Sequence, residues 1–187
     1  MRTTILSAVF ALAAGMLFAS ESNFYNNPGF KSRKDKKGNF TIVEHWYEGK
    51  ASIDGKYEGS PVLRLEQVEV DWGGYNCAVV AWHDTKRDLK PGKYTFSVWC
   101  KPQGTTTSIS LMFNLLPAGQ EKRVRKTRSY KGADLPPVGK WTELVMSIEI
   151  KPGDTKHSFG FAAFSAKNVG PKVVFFANPR ITRDRED

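Results

Sequence analysis

The stretch "KPGKYTFSVWCK", Lys90–Lys101, carries the clearest structural signal in the chain. Its Pro-Gly pair is typical of a tight turn, and two alternating sets of side chains follow it. The apolar set is Tyr94, Phe96, Val98 and Cys100, and the opposite set is Thr95, Ser97 and Trp99. A period of two predicts a β-strand that buries one of its faces in a core.

Strand-like patterns recur on both sides of this stretch, separated by Gly, Pro and charged residues. They occupy Pro61–Val70, Tyr75–Trp82, Ile109–Leu116, Lys140–Ile150, Ser158–Phe164 and Lys172–Ile181. No segment after the apolar N-terminus shows a convincing helical period. About seven or eight short strands at regular spacing are typical of an antiparallel β-sandwich or jelly roll, so we predict an all-β fold.

The N-terminus has the pattern of a secretory signal. Arg2 precedes the apolar run Ile5–Ala19, which is short for a membrane span of about 20 residues. We therefore expect a signal peptide at residues 1–20, one domain at 21–182 and a charged tail at 183–187. The protein would then be secreted, periplasmic or on the cell surface, with no membrane contact after cleavage; an uncleaved N-terminal anchor is the alternative.

The chain is strongly basic. Signal cleavage would remove Arg2 and lower the formal net charge from +9 to +8. Such a charge favours solubility, but it also suits an anionic partner such as an acidic polysaccharide or a cell surface. Export argues against nucleic acid as that partner.

Nothing in the sequence marks a catalytic centre. The three histidines share no metal-ligand spacing, and neither a nucleophile elbow nor a phosphate-binding loop is present. Carboxylates occur, but no spacing singles out a glycosidase pair. We therefore expect a protein without catalysis, cofactor or bound metal.

The two cysteines, Cys77 and Cys100, lie in consecutive predicted strands. If these strands form a hairpin centred near Asp88–Leu89, the two cysteines stand roughly opposite each other, and an exported chain could oxidise them to a disulfide. Two small buried thiols are the equal alternative.

Six landmarks occur in an order that resembles a known family. They are Asn27-Pro28-Gly29-Phe30, Trp46, Glu58–Glu66, Leu89–Lys101, Val138–Leu144 and Val173–Thr182. The set is similar to the CenC-type carbohydrate-binding modules of families four and nine and their relatives. This resemblance implies a galactose-binding-like jelly roll that binds glycans without cleaving them, in which Phe30 enters the core and Trp46 and Trp141 are structural.

The chain departs from this family at two positions. Members commonly carry Glu after Gly-Phe and Asp in the closing strand, and these acids are associated with a structural calcium ion. Here the positions hold Lys31 and Asn178. Because calcium requires several oxygen ligands, preferably charged, we predict that this calcium site is lost.

Candidate ligand-binding residues were sought among aromatic and planar polar side chains, which suit the faces and hydroxyls of sugars. Trp99 and Asn114 are both expected on strand faces opposite the core, and we place them on one binding face. Trp82 and Tyr75 lie at the two ends of another strand, where they could line a cleft. Packing without any ligand is the alternative for each ring.

The basic segment Glu121–Lys131 indicates an acidic ligand. As a strand it would place Arg123 and Arg125 on one face and Lys126, Arg128 and Tyr130 on the other. Arginine pairs with carboxylates and sulfates through two parallel hydrogen bonds, which suits a uronate or sulfated polymer. An edge strand that uses charge against aggregation explains the segment equally well.

We therefore predict a monomeric, non-catalytic module that binds a polysaccharide or oligosaccharide, with Trp99, Asn114, Trp82, Tyr75, Arg123, Arg125 and Tyr130 as candidate contacts. An exported structural or adhesive β-sandwich that binds a protein or cell-wall surface is the second hypothesis. A glycoside hydrolase or polysaccharide lyase, or accessory activity beside one, is the third.

The lost calcium site predicts that calcium will not stabilise the protein. Adding calcium or EDTA should leave the Tm unchanged, because Lys31 and Asn178 supply no carboxylate. Differential scanning fluorimetry in both conditions checks this, and a calcium-dependent rise in Tm that EDTA reverses would contradict it.

Overall fold

The computed structural model describes residues 23, 30, 33–34, 40–41, 47–48, 50–69, 75–85, 89–104, 106–166 and 172–184. Within these ranges, only the backbone is described for residues 33–34, 40–41, 47–48, 50–51, 68–69, 75–84 and 166.

The described strands form two main sheets, and every pairing is antiparallel. Sheet 1 has the strand order β11-β8-β13-β5-β4. Its members are β4 (Lys50–Tyr57), β5 (Ser60–Glu66), β8 (Gly92–Gln103), β11 (Thr142–Ile150) and β13 (Val173–Arg183). The strand that first indicated the fold, β8, therefore lies inside this sheet between two partners.

Sheet 2 has the order β10-β9-β12-β7-β3, and β6 also pairs with β7. Its members are β3 (Tyr47–Glu48), β6 (Val68–Glu69), β7 (Tyr75–Asp84), β9 (Ser108–Leu116), β10 (Val124–Lys131) and β12 (Thr155–Ala166). A separate pair joins β1 (Arg33–Lys34) to β2 (Phe40–Thr41), and the one helical element described is a 3-10 turn at Gly132–Asp134.

The core lies between the two sheets. Phe161 of β12 packs on Phe176 of β13 with ring centroids 4.4 Å apart, and Phe159 packs on Phe96 at 5.1 Å. All four side chains are fully buried. Apolar burial on this scale is the main stabilising term in a sandwich of this size.

The predicted all-β antiparallel sandwich is confirmed. Each strand pattern read from the sequence corresponds to a strand of the structure, and the alternation in β8 buries the predicted apolar set. The pattern search missed β4, whose sequence Lys50–Tyr57 alternates weakly because β4 is an edge strand of sheet 1. Phe30 enters the core as predicted, with its ring edge-on to Phe161.

The predicted hairpin between the two cysteine-bearing strands is wrong. β7 belongs to sheet 2 and β8 to sheet 1, so the connection crosses the sandwich instead of turning within one sheet. Cys100 is a free, buried thiol, and burial raises its pKa well above the usual range. The side chain of Cys77 lies outside the described residues. The predicted disulfide depended on pairing between these two strands, and β7 and β8 do not pair.

The closing strand continues past the predicted domain end at residue 182. Arg183 is the last residue of β13, and its guanidinium donates to the carbonyl of Pro91 at 2.8 Å. Asp184 accepts a hydrogen bond from the Thr95 hydroxyl at 2.8 Å. The folded part therefore includes the first two residues of the segment that the sequence assigns to a charged tail.

The side chain of Asn23 bonds to the backbone of the closing strand. The Asn23 amide donates to the carbonyl of Pro179 and accepts from the backbone nitrogen of Ile181, both at 3.0 Å. Pro179 lies within the segment where β13 shifts register against β8, and Ile181 lies just after it. The Asn23 amide therefore takes the place of a neighbouring strand at this irregularity.

Replacing Asn23 with Ala should lower the free energy of unfolding by about 1–3 kcal/mol, because two backbone groups lose their partner. Urea denaturation measures the change. Ser147→Ala, an exposed substitution on β11, is the control and should stay within about 0.5 kcal/mol. Equal stability of the two variants would show that the Asn23 contacts do not hold the N-terminal segment.

Candidate functional site

Each sheet has an inner face in the core and an outer face, and two of the candidate residues lie on different outer faces. Trp99 lies on the outer face of sheet 1, whereas Asn114 lies on the outer face of sheet 2. The prediction that they share one binding face is therefore wrong. It fails because β8 and β9, although consecutive, belong to different sheets.

A polar row crosses the outer face of sheet 2. Arg125 of β10 pairs in register with Asn114 of β9, and Asn114 pairs with Ser158 of β12. The Arg125 guanidinium donates through Nε to Oδ1 of Asn114 at 3.3 Å. Since neighbouring strands lie about 4.8 Å apart, the row spans about 10 Å, which suits a short stretch of a polymer.

The inner end of this polar row is deeply buried. Ser158 is fully buried, and its hydroxyl has no hydrogen-bond partner among the described residues. Because a buried hydroxyl without a partner costs about 1–3 kcal/mol, its position suggests a group that completes it. Gly160 and Ala162, which follow Ser158 on the same face of β12, are buried as well.

The two ends of the polar row differ in charge: the cations of β10 flank Arg125 at one end, and Asp84 of β7 stands in register with Ser158 at the other. The sequences of the three adjacent strands β9, β10 and β12 contain neither Asp nor Glu. In β10 the residues Arg125, Lys126, Arg128 and Lys131 are all exposed. β10 is an edge strand of sheet 2, so its charged residues can also serve to prevent edge-to-edge aggregation. Exposed cations beside a row of hydrogen-bonding groups also suit an anionic ligand.

Tyr130 is a structural residue and not part of this surface. Its hydroxyl donates to the carbonyl of Val145 and accepts from the nitrogen of the same residue, both at 2.7 Å. Because Val145 lies in β11, the tyrosine joins the edge strands of the two sheets. The guanidinium of Arg128 lies over its ring at 5.1 Å. The hydroxyl is thus engaged with backbone, which removes Tyr130 from the candidate contacts.

Three other candidates are placed only in part. Arg123 is exposed and precedes β10 in the loop. Trp82 lies in β7 at the level of Gly160, within the register shift between the Phe159–His83 and Phe161–Val80 pairs. Tyr75 begins β7 opposite Ala166. The side chains of Trp82 and Tyr75 lie outside the described residues.

A second cluster lies on the outer face of sheet 1, and we call it the aromatic patch: Tyr57, Trp99, Trp141 and Phe175. Tyr57 stacks on Trp141 with ring centroids 4.3 Å apart and meets Trp99 at 5.4 Å. The ammonium of Lys101 lies 5.1 Å from the Trp141 centroid and 4.8 Å from that of Phe175. Phe175 is buried, and the other three rings are half-buried.

The described part of the chain brings together no group of three or more His, Cys, Asp or Glu side chains that could hold a metal ion. Asn178 has a left-handed backbone with φ 50° at the irregularity of β13, next to the Asn23 contacts. Lys31, the other position of the calcium site that the sequence predicts to be lost, lies outside the described residues. No helix within the described ranges is long and apolar enough to cross a membrane.

Sequence reasoning missed Ser158 and Tyr57. Ser158 stands between two buried aromatic residues of an alternating strand, so its outward direction could have been read from the pattern. Tyr57 comes just before the Glu58-Gly59 turn, where a tyrosine does not by itself indicate a functional site. The meeting of Tyr57 with Trp99 and Trp141 follows from strand order, which the local pattern does not contain.

Comparison with known proteins places the fold. No protein-family model matches the chain, and no curated protein matches it either. Among solved structures, a carbohydrate-binding module from a study of promiscuous specificity in the β-sandwich superfamily superimposes with a TM-score of 0.55. It is 12% identical, and the match covers 87% of this chain and 62% of that chain.

Two larger proteins contain a similar unit. The enzymatically active domain of tailspike protein 4 from bacteriophage CBA120 has a TM-score of 0.53 at 13% identity, covering 87% of this chain and 21% of that chain. Xylanase 10B of Clostridium thermocellum, with family 22 binding and family 10 hydrolase modules and bound xylohexaose, has a TM-score of 0.51 at 17% identity, covering 75% and 25%. The chain thus spans less than two thirds of each of these three structures. At these identities the likeness shows the β-sandwich fold of carbohydrate-binding modules.

Tyr130→Phe tests the link between the two edge strands. Removing the hydroxyl should lower the free energy of unfolding by about 1–2 kcal/mol, because both backbone groups of Val145 lose a partner. Urea denaturation measures the loss. Thr127→Val, on the exposed opposite face of β10, is the control, and an unchanged midpoint for Tyr130→Phe would contradict a structural role.

Proposed function

We propose that this protein is exported and binds an acidic polysaccharide, without cleaving it, through the outer face of sheet 2. The observation that carries the proposal is the polar row of Arg125, Asn114 and Ser158, whose innermost hydroxyl is buried without a partner among the described residues. The β-sandwich fold, found in carbohydrate-binding modules, supports it.

The three groups of the row have complementary tasks toward such a polymer. Arg125, at the exposed end, would pair with a carboxylate or sulfate through its guanidinium. Asn114 holds that guanidinium through Oδ1 and can also donate from its amide nitrogen to a sugar hydroxyl. Ser158, buried at the inner end of the row, would exchange a hydrogen bond with a hydroxyl group of the sugar.

The surroundings of the row favour an acidic over a neutral ligand. β9, β10 and β12 contain neither Asp nor Glu, and Asp84 of β7 stands at the Ser158 end of the row, so an anionic group would bind at the Arg125 end. Long-range attraction by the lysines and arginines of β10 would speed association at low salt. Trp82, at the level of Gly160 in β7, is the ring that we include in this site.

Retention in gels containing polygalacturonate or a sulfated galactan tests the site. Arg125→Gln should weaken retention about tenfold at low salt, because a charge-assisted hydrogen bond contributes about 1.5–3 kcal/mol and 1.4 kcal/mol corresponds to tenfold. Arg128→Gln is the matched control, since it removes the same charge from the opposite face of the same strand.

Ser158→Ala separates binding from stability. It should weaken retention several-fold while leaving the Tm unchanged or higher, because the substitution removes a buried hydroxyl without a partner. Equal losses in Arg125→Gln and Arg128→Gln would show that net charge, and not this row, holds the polymer. The proposal would be overturned if neither anionic gel retained the protein in a salt-sensitive way.

A further inference from the structure

We propose that Lys172 and Gln67 react with each other to form an intramolecular amide bond, a covalent cross-link between the start of β13 and the end of β5. The lysine Nζ replaces the side-chain nitrogen of the glutamine, and ammonia is released. This cross-link depends neither on the polar row nor on any ligand.

Gln67 and Lys172 are neighbours on adjacent strands. Gln67 directly follows β5, Lys172 directly precedes β13, and the Gln67 backbone nitrogen donates to the Lys172 carbonyl at 2.9 Å. The two residues extend the β5–β13 ladder by one pair beyond Glu66 and Val173. Residues opposite each other on antiparallel strands have Cβ atoms about 4.5–5.5 Å apart and point to the same side. The flexible four-carbon side chain of lysine can span that gap to the glutamine amide carbon.

Both side chains point into the interior between the sheets. Gln67 continues the inward series of Leu65, and Lys172 continues that of Val174. The exposed fraction is 7% for Gln67 and 3% for Lys172. On its other flank Lys172 lies against Gly104, which has no side chain to hold it. Among the described residues no carboxylate pairs with Lys172.

Hydrogen bonding prepares the Gln67 amide for attack. Its carbonyl oxygen accepts a hydrogen bond from the buried Ser165 hydroxyl of β12. A donor at this oxygen stabilises the negative charge that develops there when a nucleophile adds to the carbon. The amide nitrogen has no hydrogen-bond partner among the described residues, so no such contact holds the leaving group in place.

Burial also favours the reactive form of Lys172. It lowers the pKa of the ammonium, which raises the share of neutral amine with a free electron pair. That pair attacks Cδ of Gln67 and the Nζ–Cδ bond forms. A proton passes from Nζ to Nε2, and the Cδ–Nε2 bond breaks as ammonia leaves. The atoms balance without an oxidant or a co-reactant.

The product removes two unfavourable groups from the interior. A buried ammonium without a paired charge and a buried amide nitrogen without a partner both destabilise a folded chain. The cross-link converts them into one neutral amide and keeps the carbonyl that Ser165 contacts. An ion pair between Lys172 and Glu69 is the alternative. By register Glu69 of β6 stands beside Asn76, which stands beside Ser165, and the Glu69 side chain lies outside the described residues.

Mass spectrometry of the purified full chain tests the proposal. For the observed N-terminus, the wild-type mass should be lower than the sequence mass by one ammonia, about 17 Da. After trypsin digestion, the peptides that contain Gln67 and Lys172 should elute as one branched species. Trypsin should leave the chain uncut after Lys172, because the amide carries no charge.

Lys172→Arg and Gln67→Leu should each restore the full sequence mass and yield separate peptides, because one reacting group is missing. Gln103→Leu is the matched control. Gln103 is exposed and stands opposite Val173 on the other side of β13, so its loss should leave the cross-link intact. Ser165→Ala should lower the cross-linked fraction of freshly purified protein several-fold, because the carbonyl loses its donor.

Three results would count against the proposal. Wild-type protein of full sequence mass with separate, unmodified peptides would overturn it, and this is the outcome expected if Glu69 pairs with Lys172. A mass deficit that persists in Lys172→Arg would also overturn it, since ammonia would then be lost at another residue. Complete cross-linking in Ser165→Ala would overturn the role of the hydroxyl. The wild-type measurement does not depend on whether any variant folds.

Discussion

The layer of aromatic side chains between the two sheets is the constraint on which the rest of the structure depends. Phe96, Phe159, Phe161 and Phe176 close the sandwich, and Phe30 adds its edge from the N-terminal segment. Since alternate residues of each strand are used to build this layer, the residues between them must face outward. The burial of one set therefore decides which side chains are available for binding.

The two outer faces differ in chemistry. Sheet 2 carries the hydrogen-bonded pair of Arg125 and Asn114 and the exposed cations of β10. Sheet 1 presents rings around Trp141 with carboxylates such as Glu143 nearby.

Single polar side chains satisfy backbone groups where the strand pairing stops. Tyr130 joins the edge strands β10 and β11 through one hydroxyl, and Asn23 bonds to the part of β13 that lies beyond its pairing with β5. Each of these side chains satisfies two backbone groups that no neighbouring strand pairs with. The charge of β10 can guard the same edge while Arg125 faces the polar row.

The sequence by itself determined the fold class, most strands and the inner or outer direction of their side chains, because alternation with period two is a local property. Alternation placed Trp99 on the face opposite the core and Arg125 on the face away from Tyr130, and the family resemblance placed Phe30 in the core. Only the tertiary structure decided which strands are neighbours. Chain crossings between sheets separated Cys77 from Cys100 and Trp99 from Asn114, and they brought Tyr57 to Trp141 and Ser158 to Asn114. Strand order depends on contacts between distant parts of the chain, and these are set by packing between the sheets, which no local pattern records.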